Sequence, residues 1–338
     1  MSLKIEESEK KHSIAVIGSG SWATALAKVL HETQNSIGWC LRDQELIEYI
    51  KKYKHNPNYL SAVEFDVKKL HLSADINEVA ASYDILLFVI PSIYIQTWLE
   101  PLSVGLDGKF IISAIKGIVP GMDCTIAEFF NQKYAVPFDR IGIVSGPTHA
   151  EEVALERLSY LTISCKDKLQ ARHIASYFET HYIKTNFGTD IYGTEYSAVL
   201  KNIYAVASGI AHGLNYGDNF LAVLISNAQR EIERFLKKTY PSKRRLSTSV
   251  YLGDLLVTCY SQFSRNRTFG TMIGKGYSVK SAMLEMSMVA EGYNAAKCIR
   301  EINQKYNVKM PIANAVYNIL YENISPAIEM KLLTTKLR

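Results

Sequence analysis

The chain has 338 residues, with 38 basic against 33 acidic side chains for a net charge of +5, and is 48% hydrophobic and 21% charged. That length and composition suit two globular domains with a sizeable core. No run approaches the ~18 uninterrupted apolar residues of a membrane-spanning helix, so no stable membrane insertion is expected, and the charge excess suits anionic small ligands rather than nucleic acid.

In chain order, the polar N-terminus Met1–Ser13 lacks the apolar centre of a signal peptide, which predicts a cytoplasmic protein. Short apolar runs at Ile14–Ile17, Ile37–Leu41, Ile85–Ile90, Phe110–Ala114 and Ile141–Val144 then alternate with segments able to form helices, such as Trp22–Glu32. This alternation predicts a doubly wound, Rossmann-type parallel sheet with helices on both faces, the α/β class. Val153–Ser164 and Ile183–Thr185 are expected to add edge strands.

After about Gly193 the spacing changes. Val199, Ile203, Val206 and Ile210 recur at helical intervals, as do Leu221, Leu224, Ala228, Ile232 and Phe235. Asn294–Lys305 and Ala313–Tyr321 also read as helices, and no β-rich run returns. The expected division is a dinucleotide-binding domain over residues 1–193 and an all-helical domain over 194–338. The basic run Lys237-Lys238 with Lys243-Arg244-Arg245 brackets Pro241 and reads as a solvated loop. Cys40, Cys124, Cys165, Cys259 and Cys298 are scattered, with no spacing that suggests a disulfide framework or a metal site.

The strand Ile14–Ile17 runs into Gly18-Ser19-Gly20-Ser21-Trp22-Ala23, a G-x-G-x-x-A turn that opens a helix. Gly18 permits the tight turn, Gly20 lets the backbone approach a pyrophosphate, and Ala23 allows close helix–strand packing. The helix start, with Ser21 and Trp22, offers free N–H groups to phosphate. At the end of the second strand stand Arg42 and Asp43. An acid there takes ribose hydroxyls and an arginine takes a 2′-phosphate. Arg42 comes first, so NADP is favoured with NAD tolerated, and Asp43 keeps both open.

The segment Ile17–Ala27 resembles the NAD(P)-dependent glycerol-3-phosphate dehydrogenase family, whose loop reads G-x-G-x-W-G-T-A. The resemblance continues through Ala114-Ile115-Lys116-Gly117, Ser145–Glu151, Leu200-Lys201-Asn202, Gly253-Asp254-Leu255, Ser264-Arg265-Asn266-Arg267, Val289–Gly292 and Met310-Pro311-Ile312. It implies reversible reduction of dihydroxyacetone phosphate to sn-glycerol 3-phosphate, feeding phospholipid synthesis, in a homodimer. It also implies roles. Lys201 is the proton donor, and because a lysine near its usual ~10.4 is a poor acid at neutral pH, burial or a neighbouring cation such as Lys116 must assist it. Lys116 would contact both substrate and cofactor. Asp254 would orient Lys201 or a substrate hydroxyl, with a helix cap as its plain alternative. Asn202, Ser264, Arg265 and Asn266 would hold the substrate, with Arg265 suited to bidentate phosphate contact and reaching the cofactor too. Gly146, Thr148 and Ala150 match the loop joining the two ligands, and Val289 and Glu291 a segment beside the nicotinamide. His149, a tempting acid, reads as structural.

Two departures stand out. Ala23 replaces the family's usual glycine, and Asn227 stands where the family usually has arginine, with Arg230 one turn later able to rebuild the network. The rival readings are a catalytically silent dinucleotide-binding regulator and a 3-hydroxyacyl-CoA or 6-phosphogluconate dehydrogenase.

Overall fold

The computed structural model describes residues 12–286 and 289–338. The first eleven residues of the polar N-terminal segment therefore lie outside it.

Eight strands form one sheet: β1 Ile14–Ile17, β2 Ile37–Cys40, β3 Leu70–Ser73, β4 Ile85–Phe88, β5 Phe110–Ser113, β6 Ile141–Ser145, β7 Ser159–Cys165 and β8 Ile183–Gly188. Their order is β3-β2-β1-β4-β5-β6-β7-β8. In β1 every residue is buried, as expected of a strand covered on both faces. Ile14 and Val16 join the core on one side while Ala15 and Ile17 join the core on the other, the two-residue period of an extended chain.

The sheet is parallel as expected, except that β7 runs antiparallel to β6. The expected Val153–Ser164 strand also begins late, because Ala150–Ala154 is helical. The connection from β6 to β7 contains only that one short helix. That helix has 5 residues and does not span the sheet as a crossover helix of a parallel connection would. The strand β3, Leu-His-Leu-Ser, has only two apolar residues and is not among those expected from the sequence.

Among the described residues, seven α-helices surround the sheet: α1 Ser21–Thr33, α2 Gln44–Tyr53, α3 Ile76–Ser82, α4 Ile95–Trp98, α5 Ile126–Tyr134, α6 Ala150–Ala154 and α7 Lys168–Ser176. Past β8 the described chain is helical: α8 Ile191–Gly213, α9 Asp218–Thr239, α10 Asp254–Tyr260, α11 Arg265–Gly274, α12 Val279–Glu285, α13 Glu291–Tyr306, α14 Pro311–Tyr321 and α15 Pro326–Thr334. Among the described residues no helix is long and apolar enough to cross a membrane.

The long α8 is buried along nearly its whole length and forms the axis of the helical part. Its packing against α11 depends on glycines. A Cβ on Gly209 would sit 2.0 Å from the Arg267 carbonyl oxygen, and one on Gly270 would sit 2.1 Å from that of Val206. Gly213 and Gly274 repeat the contact one turn on. The two backbones therefore touch, and the start of α11 is fixed relative to the middle of α8.

The basic run is only partly a solvated loop. Lys237 and Lys238 end α9, and the Arg244 guanidinium turns inward to pair with Asp190, the N-cap of α8. That pairing anchors the loop to the seam between sheet and helices. All five cysteines are free and buried.

Candidate active site

The strand order reverses between β1 and β4, and the carboxyl ends of strands at such a switch point are where open α/β sheets bind ligands. A cavity of about 660 Å³ opens there and continues to the helical part of the chain. It is lined by Gly20–Ala23 after β1, Val89–Pro91 after β4, Ala114–Lys116 after β5 and Thr148–Glu151 after β6.

The first turn is held by the protein's own contacts. Gly18 has φ +133°, and a Cβ there would lie 2.2 Å from the Val89 carbonyl oxygen. Its own carbonyl accepts from Trp39 Nε1 at 2.8 Å. The buried Asn56 donates from Nδ2 to the Ser19 carbonyl at 3.1 Å and to Thr24 Oγ1 at 2.9 Å. By contrast, nothing lies within 4 Å of a Cβ built on Gly20. Gly20 caps α1 without a side-chain hydrogen bond, and no acid occupies the first turn. Ser21 Oγ and Trp22 Nε1 are both shielded from solvent and both lack a protein partner. An open glycine, an uncapped helix N-terminus and two unused polar atoms fit a dinucleotide pyrophosphate. Ala23 is fully buried, consistent with close packing of α1.

Arg42 follows the end of β2 and does not line the cavity; its guanidinium lies 5.4 Å over the Trp98 ring. Asp43 is committed elsewhere, because its carboxylate accepts from the backbone N–H groups of Glu45 and Leu46 and caps α2.

At the far end of the cavity Lys201, on α8, pairs with Asp254, the first residue of α10. Both are buried. The second Asp254 oxygen accepts from Ser145 Oγ at 3.2 Å. The helix-cap alternative for Asp254 is set aside, since its carboxylate faces Lys201 and Ser145 rather than a helix end. Lys116 stands nearby with its ammonium 5.4 Å over the Trp22 ring. Burial first, then the charge of Lys201, pull the Lys116 ammonium down to about 7. Asn202 Nδ2 donates to the Lys116 backbone carbonyl at 3.0 Å.

Ser264, Arg265 and Asn266 also line the cavity. Ser264 is the N-cap of α11 and accepts from the Arg267 backbone N–H. Asn266 Oδ1 accepts from the Gly292 N–H at 2.8 Å, which leaves its amide NH₂ as the donor available to a ligand. The four-glycine contact with α8 sets the position of this helix end relative to Lys201.

Thr148 and Ala150 line the cavity, whereas Gly146 works beneath it. Gly146 has φ +139°, and a Cβ would lie 2.4 Å from the Tyr160 carbonyl oxygen, so the backbone turns there as no other residue would allow. Val289 and Glu291 line the cavity as well. Glu291 accepts from the Ser92 N–H at 2.8 Å and from Ser92 Oγ at 2.7 Å, a tie between α13 and the turn after β4. His149, read from sequence as structural, also lines the cavity; burial and then the charge of Lys116 hold it down at about 4. Sequence reasoning missed Ser145, Ser92, Trp39, Asn56 and Thr258, the last of which also lines the cavity. Ser145 and Thr258 sat inside or beside segments already singled out.

Asn227 has a defined place. It donates from Nδ2 to the Arg338 carbonyl at 2.9 Å and accepts from the Arg338 N–H at 3.2 Å. Arg230 donates to the same carbonyl at 3.5 Å. The position holds the backbone at Arg338 rather than a side-chain cation network.

A doubly wound sheet with a built phosphate turn, whose cavity ends on a buried lysine–carboxylate pair in a helical domain, defines a nicotinamide dinucleotide-linked dehydrogenase. Comparison with known proteins narrows this. The family described as NAD-dependent glycerol-3-phosphate dehydrogenase matches residues 13–171 with its N-terminal model and 190–331 with its C-terminal model. The chain is 36% identical over 316 residues to a glycerol-3-phosphate dehydrogenase (NAD(P)+) of Latilactobacillus sakei, covering 91% of this chain and 92% of the relative. It is 33% identical to that of Chlorobium chlorochromatii, covering 92% and 93%. The crystal structure of glycerol-3-phosphate dehydrogenase from Coxiella burnetii superposes with a TM-score of 0.88 at 27% identity, covering 96% of this chain and 99% of that one. The chain belongs to the NAD-dependent glycerol-3-phosphate dehydrogenase family.

Proposed function

We propose that this chain reduces dihydroxyacetone phosphate to sn-glycerol 3-phosphate, reversibly, and so supplies glycerophospholipid synthesis. The observation that carries the reading is the buried Lys201–Asp254 pair on the same cavity as the helix start Ser264–Arg265–Asn266. The first can serve a carbonyl oxygen and the second a phosphate, the two ends of this substrate.

When bound, the nicotinamide dinucleotide supplies the hydride. Lys201 donates the proton to the carbonyl oxygen, and in the reverse direction accepts it. Asp254 holds the Lys201 ammonium in place and keeps its charge compensated in a buried setting. Lys116 adds positive charge where the oxygen becomes an alkoxide. Arg265 and the amide of Asn266 bind the phosphate at the N-terminal end of α11. Asn202 keeps the Lys116 loop against α8. Gly18, Gly20, Ser21, Trp22 and Ala23 form the dinucleotide turn, with Ala150, Val289 and Glu291 along its path.

NADPH is the favoured reductant. Asp43 spends its carboxylate on capping α2, leaving Arg42 as the charged side chain at the ribose position. The working division places the dinucleotide domain at residues 1–193 and the helical domain at 194–338, and the chain is expected to act as a cytoplasmic homodimer.

The test follows nicotinamide absorbance on adding dihydroxyacetone phosphate, with NADPH and NADH in turn. Turnover that disappears in Lys201→Ala supports the reaction and the proton donor. No turnover, despite measured binding of both ligands, overturns the reading in favour of a silent dinucleotide-binding regulator.

A further inference from the structure

Asp254 is only 1% exposed, and its two oxygens point to different domains. One faces Lys201 on α8, and the other accepts from the hydroxyl of Ser145, the last residue of β6. Ser145 is likewise only 1% exposed, so water does not compete for that bond. Its orientation is over-determined. Ser145 pairs with Thr162 across the sheet, and the next residue, Gly146, turns with φ +139° tight against the Tyr160 carbonyl. The hydroxyl is therefore carried by the rigid sheet, while the lysine and carboxylate it serves belong to the helical domain.

We propose that Ser145 is a positioning residue for hydride transfer, which fixes the plane of the Asp254 carboxylate so that Lys201 is aimed at the substrate only when the two domains are seated together. The inference rests on the reductase reading above. A carboxylate rotates freely about its last bond unless both oxygens are engaged, and a buried one gains from each donor it meets. Removing the hydroxyl leaves one Asp254 oxygen buried without a donor and lets the Lys201 ammonium wander. Neither change touches the dinucleotide turn or the start of α11.

The experiment compares wild type with Ser145→Ala, Ser145→Cys and Lys201→Ala for dinucleotide affinity by fluorescence titration, and for kcat and KM with dihydroxyacetone phosphate. Ser145→Ala is expected to lower kcat about tenfold, the scale of one hydrogen bond to a charged group, with dinucleotide affinity and KM changed less than about twofold. Ser145→Cys keeps the volume with a weaker donor and is expected to fall between the two. It also stands in if the alanine variant fails to fold. An unchanged kcat in the variants overturns the proposal. So does a parallel loss of dinucleotide affinity, KM and thermal stability, which would mark a purely structural residue. Failure of the reductase reading would show separately, as a wild type that binds the dinucleotide but does not turn over.

Discussion

Glu195, on α8, reaches across the seam and accepts a hydrogen bond from the Ala127 backbone N–H at 3.1 Å, while its other oxygen is buried without a partner. Burial is the main cause of its raised pKa, about 8, against an ordinary 4.5. The folded chain therefore holds a proton that the unfolded chain releases above about 4.5. Between those two values each rise in pH favours the unfolded state, so this group's effect on stability worsens from about pH 4.5 to 8. Glu195→Gln removes the titration. Its stability relative to wild type, from urea unfolding at a series of pH values, is expected to improve steadily across that window. A difference that stays flat with pH would contradict the assignment.

Lys116 makes a prediction about substrate capture. Its lowered pKa of about 7 makes it cationic below that pH and neutral above it. Dihydroxyacetone phosphate is an anion at either pH, so kcat/KM, which reports on the free enzyme, is expected to decline as pH rises through about 7. Lys116→Met should lower kcat/KM at acid pH and flatten that limb. A decline that survives the substitution belongs to another group.

The glycine contact between α8 and α11 is testable by adding single methyl groups. Gly209→Ala and Gly270→Ala each place a Cβ within about 2 Å of a backbone oxygen that cannot move alone. Overpacking of this kind costs about 1–3 kcal/mol. Both variants should lose that much stability in denaturant titration and show a raised KM for dihydroxyacetone phosphate, because α11 carries Arg265. Gly188→Ala, where nothing lies within 4 Å, is the control and should leave KM unchanged.

Arg42 bears on the choice of dinucleotide. Arg42→Ala should weaken NADPH binding about tenfold, the scale of losing one charged hydrogen bond, and leave NADH binding nearly unchanged. Isothermal titration with both nucleotides decides it. Equal losses for the two would place Arg42 away from the 2′-phosphate.

The parts legible in the sequence were those with local signals. The β1 strand and its glycine turn could be read because four buried apolar residues ran straight into G-x-G-x-x-A. Helix α8 could be read because Val199, Ile203, Val206 and Ile210 share one face. The site's lysines and Asp254 came from resemblance, since nothing in their immediate neighbours marks them. The ties that assemble the site were not legible. Ser145 meets Asp254 across 109 residues and Ser92 meets Glu291 across 199, and periodicity carries no information about partners so distant. The antiparallel β7 was missed because a strand's residues do not record its direction. Leu155 and Leu158, inside the expected Val153–Ser164 strand, are exposed in the segment that joins α6 to β7.

The indole of Trp39 gives the dinucleotide turn a place in the order of folding. The hydrogen bond from Trp39 Nε1 to the Gly18 carbonyl exists only once β2 lies beside β1. A chain emerging during synthesis, or refolding from denaturant, therefore has no finished phosphate turn until those two strands have docked. Nucleotide binding during refolding is therefore expected to appear no earlier than the pairing of β1 with β2.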